Sequence, residues 1–264
     1  TEGTPFDDDI DLSGETADQT LSTGDGDDFV FGGDGDDSID GEGGNDDIRG
    51  QGGPDTVIGG EGDDVLRGNT GKDLLVGGPG SDELKGGPGI DRGVVANATE
   101  DYTDVSNYDF NDYSFSRDSG DTDADFDGTL THPDGEGGTE TETITGLEVM
   151  EIAETGSSTF VVSPGMDIQA AIDAASDGDT IQLLSGTHLA AASGAGGLVT
   201  VDKSVTILGP QAGVPAPGRL APEAFLGVRF DVTADDVTID GVRFAGAAAG
   251  SVPVVDFKGA NGAL

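Results

Sequence analysis

Glycine and aspartate return together every nine residues between positions 23 and 94. Gly26, Gly35, Gly44, Gly53, Gly62, Gly71, Gly80 and Gly89 are each followed two residues later by Asp28, Asp37, Asp46, Asp55, Asp64, Asp73, Asp82 and Asp91. An aspartate carboxylate is a hard anionic oxygen donor. Glycine, lacking a Cβ, lets a tight turn adopt the backbone conformations that aim carbonyl oxygens inward. Oxygen-rich turns suit a hard divalent cation such as calcium, which takes six to eight oxygen ligands in a flexible geometry.

Such turns need a scaffold, and the same period supplies one. Two residues beyond the first seven aspartates stand Val30, Ile39, Ile48, Val57, Leu66, Leu75 and Leu84. A short strand entered there sends alternate side chains to opposite faces, so each unit alternates loop and core. A flexible Gly/Asp linker has no reason to hold an aliphatic residue in phase over seven units. The complete unit is G-G-x-G-x-D-x-U-x, with U a large aliphatic residue. Gly32-Gly33-Asp34-Gly35-Asp36-Asp37-Ser38-Ile39-Asp40 shows it in full.

On these residues the segment 23–94 resembles the repeats-in-toxin (RTX) nonapeptide family. The resemblance implies a calcium-binding parallel β-roll with two nonapeptides per turn, successive loops on opposite edges, and an ion between loops one turn apart. Loops starting at 23, 41, 59 and 77 then stack along one edge, and those at 32, 50, 68 and 86 along the other. Three gaps per edge give roughly six sandwiched ions. The implied ligands are the eight aspartate carboxylates, completed by backbone carbonyls at the third position and at glycines such as Gly24, Gly26, Gly33, Gly35, Gly44, Gly53, Gly60, Gly62, Gly71, Gly78 and Gly80. Gly93 replaces the aliphatic residue of the eighth unit, as expected at the exit of an array. Residues 1–22 read as an N-terminal segment or degenerate cap repeat, in phase through Leu21.

Charge supports a metal requirement. The chain has 53 acidic and 11 basic residues, a net charge of −42. Residues 1–160 hold 42 of the acidic and 6 of the basic groups. Without counter-charge this region should stay expanded through self-repulsion. About six divalent ions would add roughly +12 inside the fold, so that metal binding becomes folding free energy. Weak multi-oxygen sites match extracellular calcium, at about 10⁻⁴ to 10⁻³ M, better than cytosolic levels. The expected setting is therefore secreted or cell-surface and bacterial, with the type I export that is usual in the resembled family. The absence of cysteine fits export without a disulfide step. No apolar run approaches the roughly 20 residues of a membrane span, and scattered basic residues do not make a nucleic-acid surface. No N-terminal signal peptide is recognised, and the chain is expected to be a mature or excised piece.

Residues 95–160 read as a β-rich flank or cap, with strands at 109–117 (Tyr113 and Phe115 alternating with serines), 141–144 and 147–152. Within it, Asp123, Asp125, Asp127 and Asp134, with Gly128 and Leu130, match the spacing of an EF-hand loop. No amphipathic helix precedes Asp123 and Pro133 opposes one afterwards, so an acidic hairpin turn and a second calcium loop both stay open.

From about 161 the charge falls and β-branched runs appear behind Asp-containing turns. One helix is expected at 168–175, with Asp167 as N-cap and Ile168, Ile172 and Ala175 on one face. The segment from Asp167 to Ile181, with Lys203-Ser204-Val205-Thr206-Ile207, resembles the start of a right-handed parallel β-helix of the pectin-lyase type, its first coil capped by the helix. Only a few coils fit before Leu264, so the chain is expected to continue or to dock its open end against another chain. Catalysis would need clustered acid, base and charge stabilisers on adjacent coils. His188, Lys203, Arg219, Arg229, Arg243, Asp231 and Asp240 are the residues on offer, and they read better as surface charge and, for His188, packing. No nucleophile elbow, zinc-ligand spacing or nucleotide fingerprint occurs. His132 is isolated in the acidic loop.

The expected molecule is all-β: a calcium-loaded roll (23–94), a β-rich flank (95–160) and the first coils of a β-helix (161–264). The function that fits is an extracellular calcium-binding structural or adhesive protein, with no catalytic residue assigned. The alternatives are a segment of a polysaccharide lyase or uronan epimerase, or a self-assembling filament or surface-layer subunit. Expected partners are calcium, a polysaccharide or cell-surface ligand, and another copy through the open β-helix end.

Overall fold

A computed structural model describes residues 2–95, 114–117, 126–133, 139–154, 157–162, 166–184, 186–188, 198–210, 224–226, 229–244 and 255–257. The chain divides into two units at residues 155 and 156. No helix among the described residues is long and apolar enough to cross a membrane.

The first unit contains β1 (Asp9–Asp11), β2 (Thr20–Ser22), β3 (Phe29–Gly33), β4 (Ser38–Asp40), β5 (Asp47–Gly52), β6 (Thr56–Ile58), β7 (Val65–Thr70), β8 (Leu74–Val76), β9 (Glu83–Lys85), β10 (Arg92–Val95), β11 (Ser114–Arg117), β12 (Phe126–Pro133), β13 (Thr139–Leu147) and β14 (Val149–Glu154). Strands alternate between two sheets. One runs β2-β4-β6-β8-β10-β14 and the other β1-β3-β5-β7-β9-β13-β12-β11. All pairings are parallel except those of β12 with β11 and β13, an antiparallel group that follows the roll.

Register carries the sequence period into the core. In one sheet Leu21, Ile39, Val57, Leu75, Gly93 and Met150 lie opposite one another in turn. In the other, Ile10, Val30, Ile48, Leu66, Leu84 and Ile144 do the same. Seven repeat aliphatics, Val30 to Leu84, have no solvent exposure. Each contributes about 1.5–3 kcal/mol when fully buried. The core is thus two stacked columns, one side chain per strand. The gap at Gly93 is filled from outside the repeats, because Leu147 Cδ1 lies where a Gly93 Cβ would stand.

The second unit comprises β15 (Ser157–Val162), α1 (Ile168–Ala174), β16 (Thr180–Leu183), β17 (Gly186–His188), β18 (Leu198–Val201), β19 (Thr206–Leu208), β20 (Ala224–Leu226), β21 (Arg229–Val232), β22 (Thr238–Asp240), β23 (Val242–Phe244) and β24 (Val255–Phe257). Successive triplets of strands feed three parallel sheets: β15-β16-β19-β22, β17-β20-β23 and β18-β21-β24. Each coil therefore gives one strand to each sheet. Asp167 caps α1 by accepting the Gln169 N–H at 2.9 Å, and Ile168, Ala171 and Ile172 are its buried face. Its other end is closed by Lys203, whose Nζ donates to the carbonyls of Ile172, Asp173 and Ala175, at 3.0, 2.5 and 2.6 Å. A cation on the final carbonyls satisfies groups that no backbone N–H reaches.

Candidate metal centre

Each loop aspartate is oriented by the preceding turn. Along one edge the N–H of Asp28 donates to Asp46 Oδ1 at 2.8 Å, Asp46 to Asp64 at 2.8 Å and Asp64 to Asp82 at 2.9 Å. Along the other, Asp37 donates to Asp55, Asp55 to Asp73 and Asp73 to Asp91, each at 2.9 Å. Every step spans 18 residues, one turn of the roll. Oδ1 is thereby occupied while Oδ2 is not. All eight aspartates are at most 3 % exposed, and the Oδ2 of each is buried without a hydrogen-bond partner. An unsatisfied carboxylate oxygen out of water is unfavourable, and a cation is the partner that offsets it.

Protonation equilibria report the same stress. Burial pushes Asp55, Asp64 and Asp91 up to about 7 and Asp46 up to about 6. It also raises Asp37 and Asp73. Asp82 is raised by burial first and by the Glu142 carboxylate second. A bound cation acts in the opposite sense, favouring the ionised form.

Backbone oxygens join the carboxylates. A Cβ at Gly41 would overlap both Asp46 Oδ2 and the Gly59 carbonyl oxygen, and one at Gly59 would overlap Asp64 Oδ2 and the Gly77 carbonyl oxygen. A side-chain oxygen and a next-turn carbonyl thus crowd the same point against a bare glycine Cα. The second position of every unit has positive φ: 98° at Gly24, 127° at Gly33, 65° at Glu42, 87° at Gln51, 110° at Gly60, 71° at Asn69, 115° at Gly78 and 109° at Gly87. At the fourth position Gly26, Gly44, Gly53, Gly62 and Gly80 also have positive φ. Gly35, Gly71 and Gly89 do not. They are constrained by approach instead, since a Cβ there would run into the backbone of Ala17, of Gly53 and of Gly71.

No group of three or more His, Cys, Asp or Glu side chains converges among the described residues. The oxygens on offer at the loops are aspartate carboxylates and backbone carbonyls, which suit calcium and offer nothing to a soft metal.

The described structure extends the ladder past both ends of the repeats. The N–H groups of Asp8 and Gln19 donate to Asp28 Oδ1 and Asp37 Oδ1, at 2.7 and 2.8 Å. Beyond the array, Glu142 Oε2 accepts the Asp82 N–H at 2.9 Å and Glu148 Oε2 accepts the Asp91 N–H at 2.6 Å. The signal for these was present: Glu142-Thr143-Ile144 and Glu148-Val149-Met150 repeat the D-x-U pattern with glutamate in place of aspartate.

Other candidates fall elsewhere. Of the stretch Asp123 to Asp134, Phe126–Pro133 is strand β12, and Asp127 Oδ1 accepts the Gly146 N–H at 2.8 Å. Asp123, Asp125 and Asp134 lie outside the described residues. In the second unit His188 is buried, its Nε2 lies 2.8 Å from the Leu184 carbonyl oxygen, and burial lowers its pKa. Arg229 and Asp231 belong to β21, Asp240 to β22 and Arg243 to β23. Those strands belong to three different sheets. Arg219 lies outside the described residues.

The RTX calcium-binding nonapeptide repeat family model matches the chain in four copies, at residues 13–48, 22–57, 49–84 and 58–92. No curated protein and no solved structure matches it. The ladder of loops, the oxygen donor set and the family match agree: residues 13–92 are an array of RTX calcium-binding nonapeptide repeats, with a structural role for the ion.

Proposed function

We propose that this chain is an extracellular structural or adhesive protein whose roll folds and stiffens when calcium enters the loops. The observation that supports this reading most directly is the row of eight buried Oδ2 atoms without partners. A chain of net charge −42 gains little from collapsing two thin columns of aliphatics while it buries eight carboxylates. Calcium removes both obstacles together, by neutralising charge and by filling the vacant acceptor positions. Folding on calcium suits an environment where the ion is abundant, and the expected setting is outside the cell. There a stiffened roll would bear a structural load or support attachment to a surface. Roughly three ions on each edge are assigned to the repeats themselves. Far-UV circular dichroism and size-exclusion radius of the whole chain, with calcium and after chelation, test the reading. A spectrum and radius that do not change on chelation would overturn it.

A further inference from the structure

We infer that Glu142 and Glu148 are calcium ligands, each closing one further ion site at the C-terminal end of the roll, one per edge. This rests on calcium occupying the repeat loops and extends it beyond them.

Geometry carries the argument. Within the array, each aspartate N–H is received by the carboxylate one turn further on, which on the proposed reading is its partner across an ion gap. Asp82 and Asp91 are the last aspartates on their edges, and glutamates take the next rung for each, 60 and 57 residues downstream. Asp82 is 2 % exposed and Asp91 is fully buried, yet Oδ2 of both lacks a partner, as at every interior loop.

The second edge reproduces the carbonyl as well. A Cβ at Gly86 would overlap the Gly146 carbonyl oxygen and Asp91 Oδ2, the same pair of atom types that Gly41 meets at Gly59 and Asp46. Gly146, at φ 66°, stands where the first glycine of another unit would, and Glu148 where its aspartate would. Gly86 and Gly146 are 60 positions apart and Asp91 and Glu148 are 57 apart, so this loop is three residues shorter than a repeat. The extra methylene of glutamate lets the side chain span from the shortened loop. On the first edge Glu142 is 2 % exposed and lies within β13, whose next residues Thr143, Ile144 and Thr145 pair with Glu83, Leu84 and Lys85. Ile144 and Met150 then extend the two aliphatic columns by one residue each. The flank thus repeats the carboxylate and the core residue on both edges, and the loop glycine on the second. Two buried, unpartnered aspartate oxygens, each on a residue whose N–H is already held by a further carboxylate, leave a hard cation as the occupant, and glutamate is a frequent bidentate calcium ligand.

Calcium stoichiometry of the whole chain, by equilibrium dialysis and native mass spectrometry, tests the assignment. Glu142→Gln and Glu148→Gln keep an oxygen for the aspartate N–H but remove the charge. Each should lose one bound ion relative to the unsubstituted chain, and the double variant two. Glu83→Gln, the same loss of charge on neighbouring β9, should lose none. An unchanged ion count and affinity in both glutamine variants would overturn the assignment. Absence of calcium binding in the unsubstituted chain would instead overturn the reading of the repeats. Should a glutamine variant fail to fold, the ion count of the unsubstituted chain decides: about eight bound ions support the assignment, and the roughly six of the repeat gaps alone overturn it.

Discussion

Gln51 and Asn69 lie directly opposite each other on successive turns, both with positive φ, at 87° and 71°. They occupy the position that glycine holds in five of the eight units, and only one of them suits it. Asparagine visits the left-handed region readily, whereas glutamine there costs about 1–2 kcal/mol. Gln51→Gly should therefore raise stability in saturating calcium by about 0.5–1 kcal/mol, the relief being partly offset by glycine's entropy. Asn69→Gly should change little. Urea unfolding of the two variants checks this, and equal effects would refute the strain at Gln51.

Asp64 accepts the Asp46 N–H through Oδ1, and its buried Oδ2 has no hydrogen-bond partner. Asp64→Asn preserves the hydrogen bond but not the charge. The calcium concentration at the folding midpoint should rise about tenfold or more, as for loss of a charge-assisted contact. Asp63→Asn is the contrast. Its exposed side chain only accepts the Ser81 N–H, and on the preceding turn Asn45 accepts the Asp63 N–H in the same way. That midpoint should stay within about twofold, since an exposed substitution of this kind shifts stability by no more than a few tenths of a kcal/mol.

Acid should act on the metal-free roll in the direction opposite to ordinary acid denaturation. Asp46, at about 6, and Asp55, Asp64 and Asp91, at about 7, all lie above the usual value near 3.9 of an unfolded aspartate. The folded state therefore binds more protons than the unfolded one between about pH 4 and 7. Its stability is greatest below about pH 4 and declines as pH rises through 7. Calcium must displace those protons, so loading at pH 6.5 should release protons into the solvent and weaken as pH falls. Calorimetry in buffers of different ionisation enthalpy measures the release. Calcium binding with no proton release at that pH would contradict the raised values.

What the sequence made legible was whatever repeats locally. The loop aspartates and aliphatic columns are visible because nine residues return nine residues later, and α1 because Asp167, Ile168 and Ile172 are neighbours on one turn. The missed features are those joined over distance. Ile10 pairs with Val30 at an offset of 20 rather than 18, so two extra residues hide the first turn from a nine-residue count. Glu142 and Glu148 belong to the ladder but follow an interruption at Gly93 and carry glutamate. Lys203 closes α1 from 28 to 31 residues away, and no local pattern announces that. Arg229 and Asp231 on β21, Asp240 on β22 and Arg243 on β23 fall on three different sheets, an assignment that no local pattern announces.

The same interruption makes the last test. Gly93 stands in register between Leu75 and Met150, and Leu147, with no solvent exposure, reaches across to fill its place. Leu147→Ala should open a cavity at the end of the column and cost about 2–5 kcal/mol. Gly93→Ala should also destabilise, by about 1–3 kcal/mol, because its new Cβ meets Leu147 Cδ1. If one side chain truly substitutes for the other, the two losses cannot add. With Leu147 shortened, the methyl at Gly93 enters vacated space, and the double variant should be more stable than the sum of the single effects by about 0.5–3 kcal/mol. Urea unfolding in saturating calcium gives the four values. Simple additivity would mean that Leu147 and Gly93 do not share the space, and the column would have to be closed in another way.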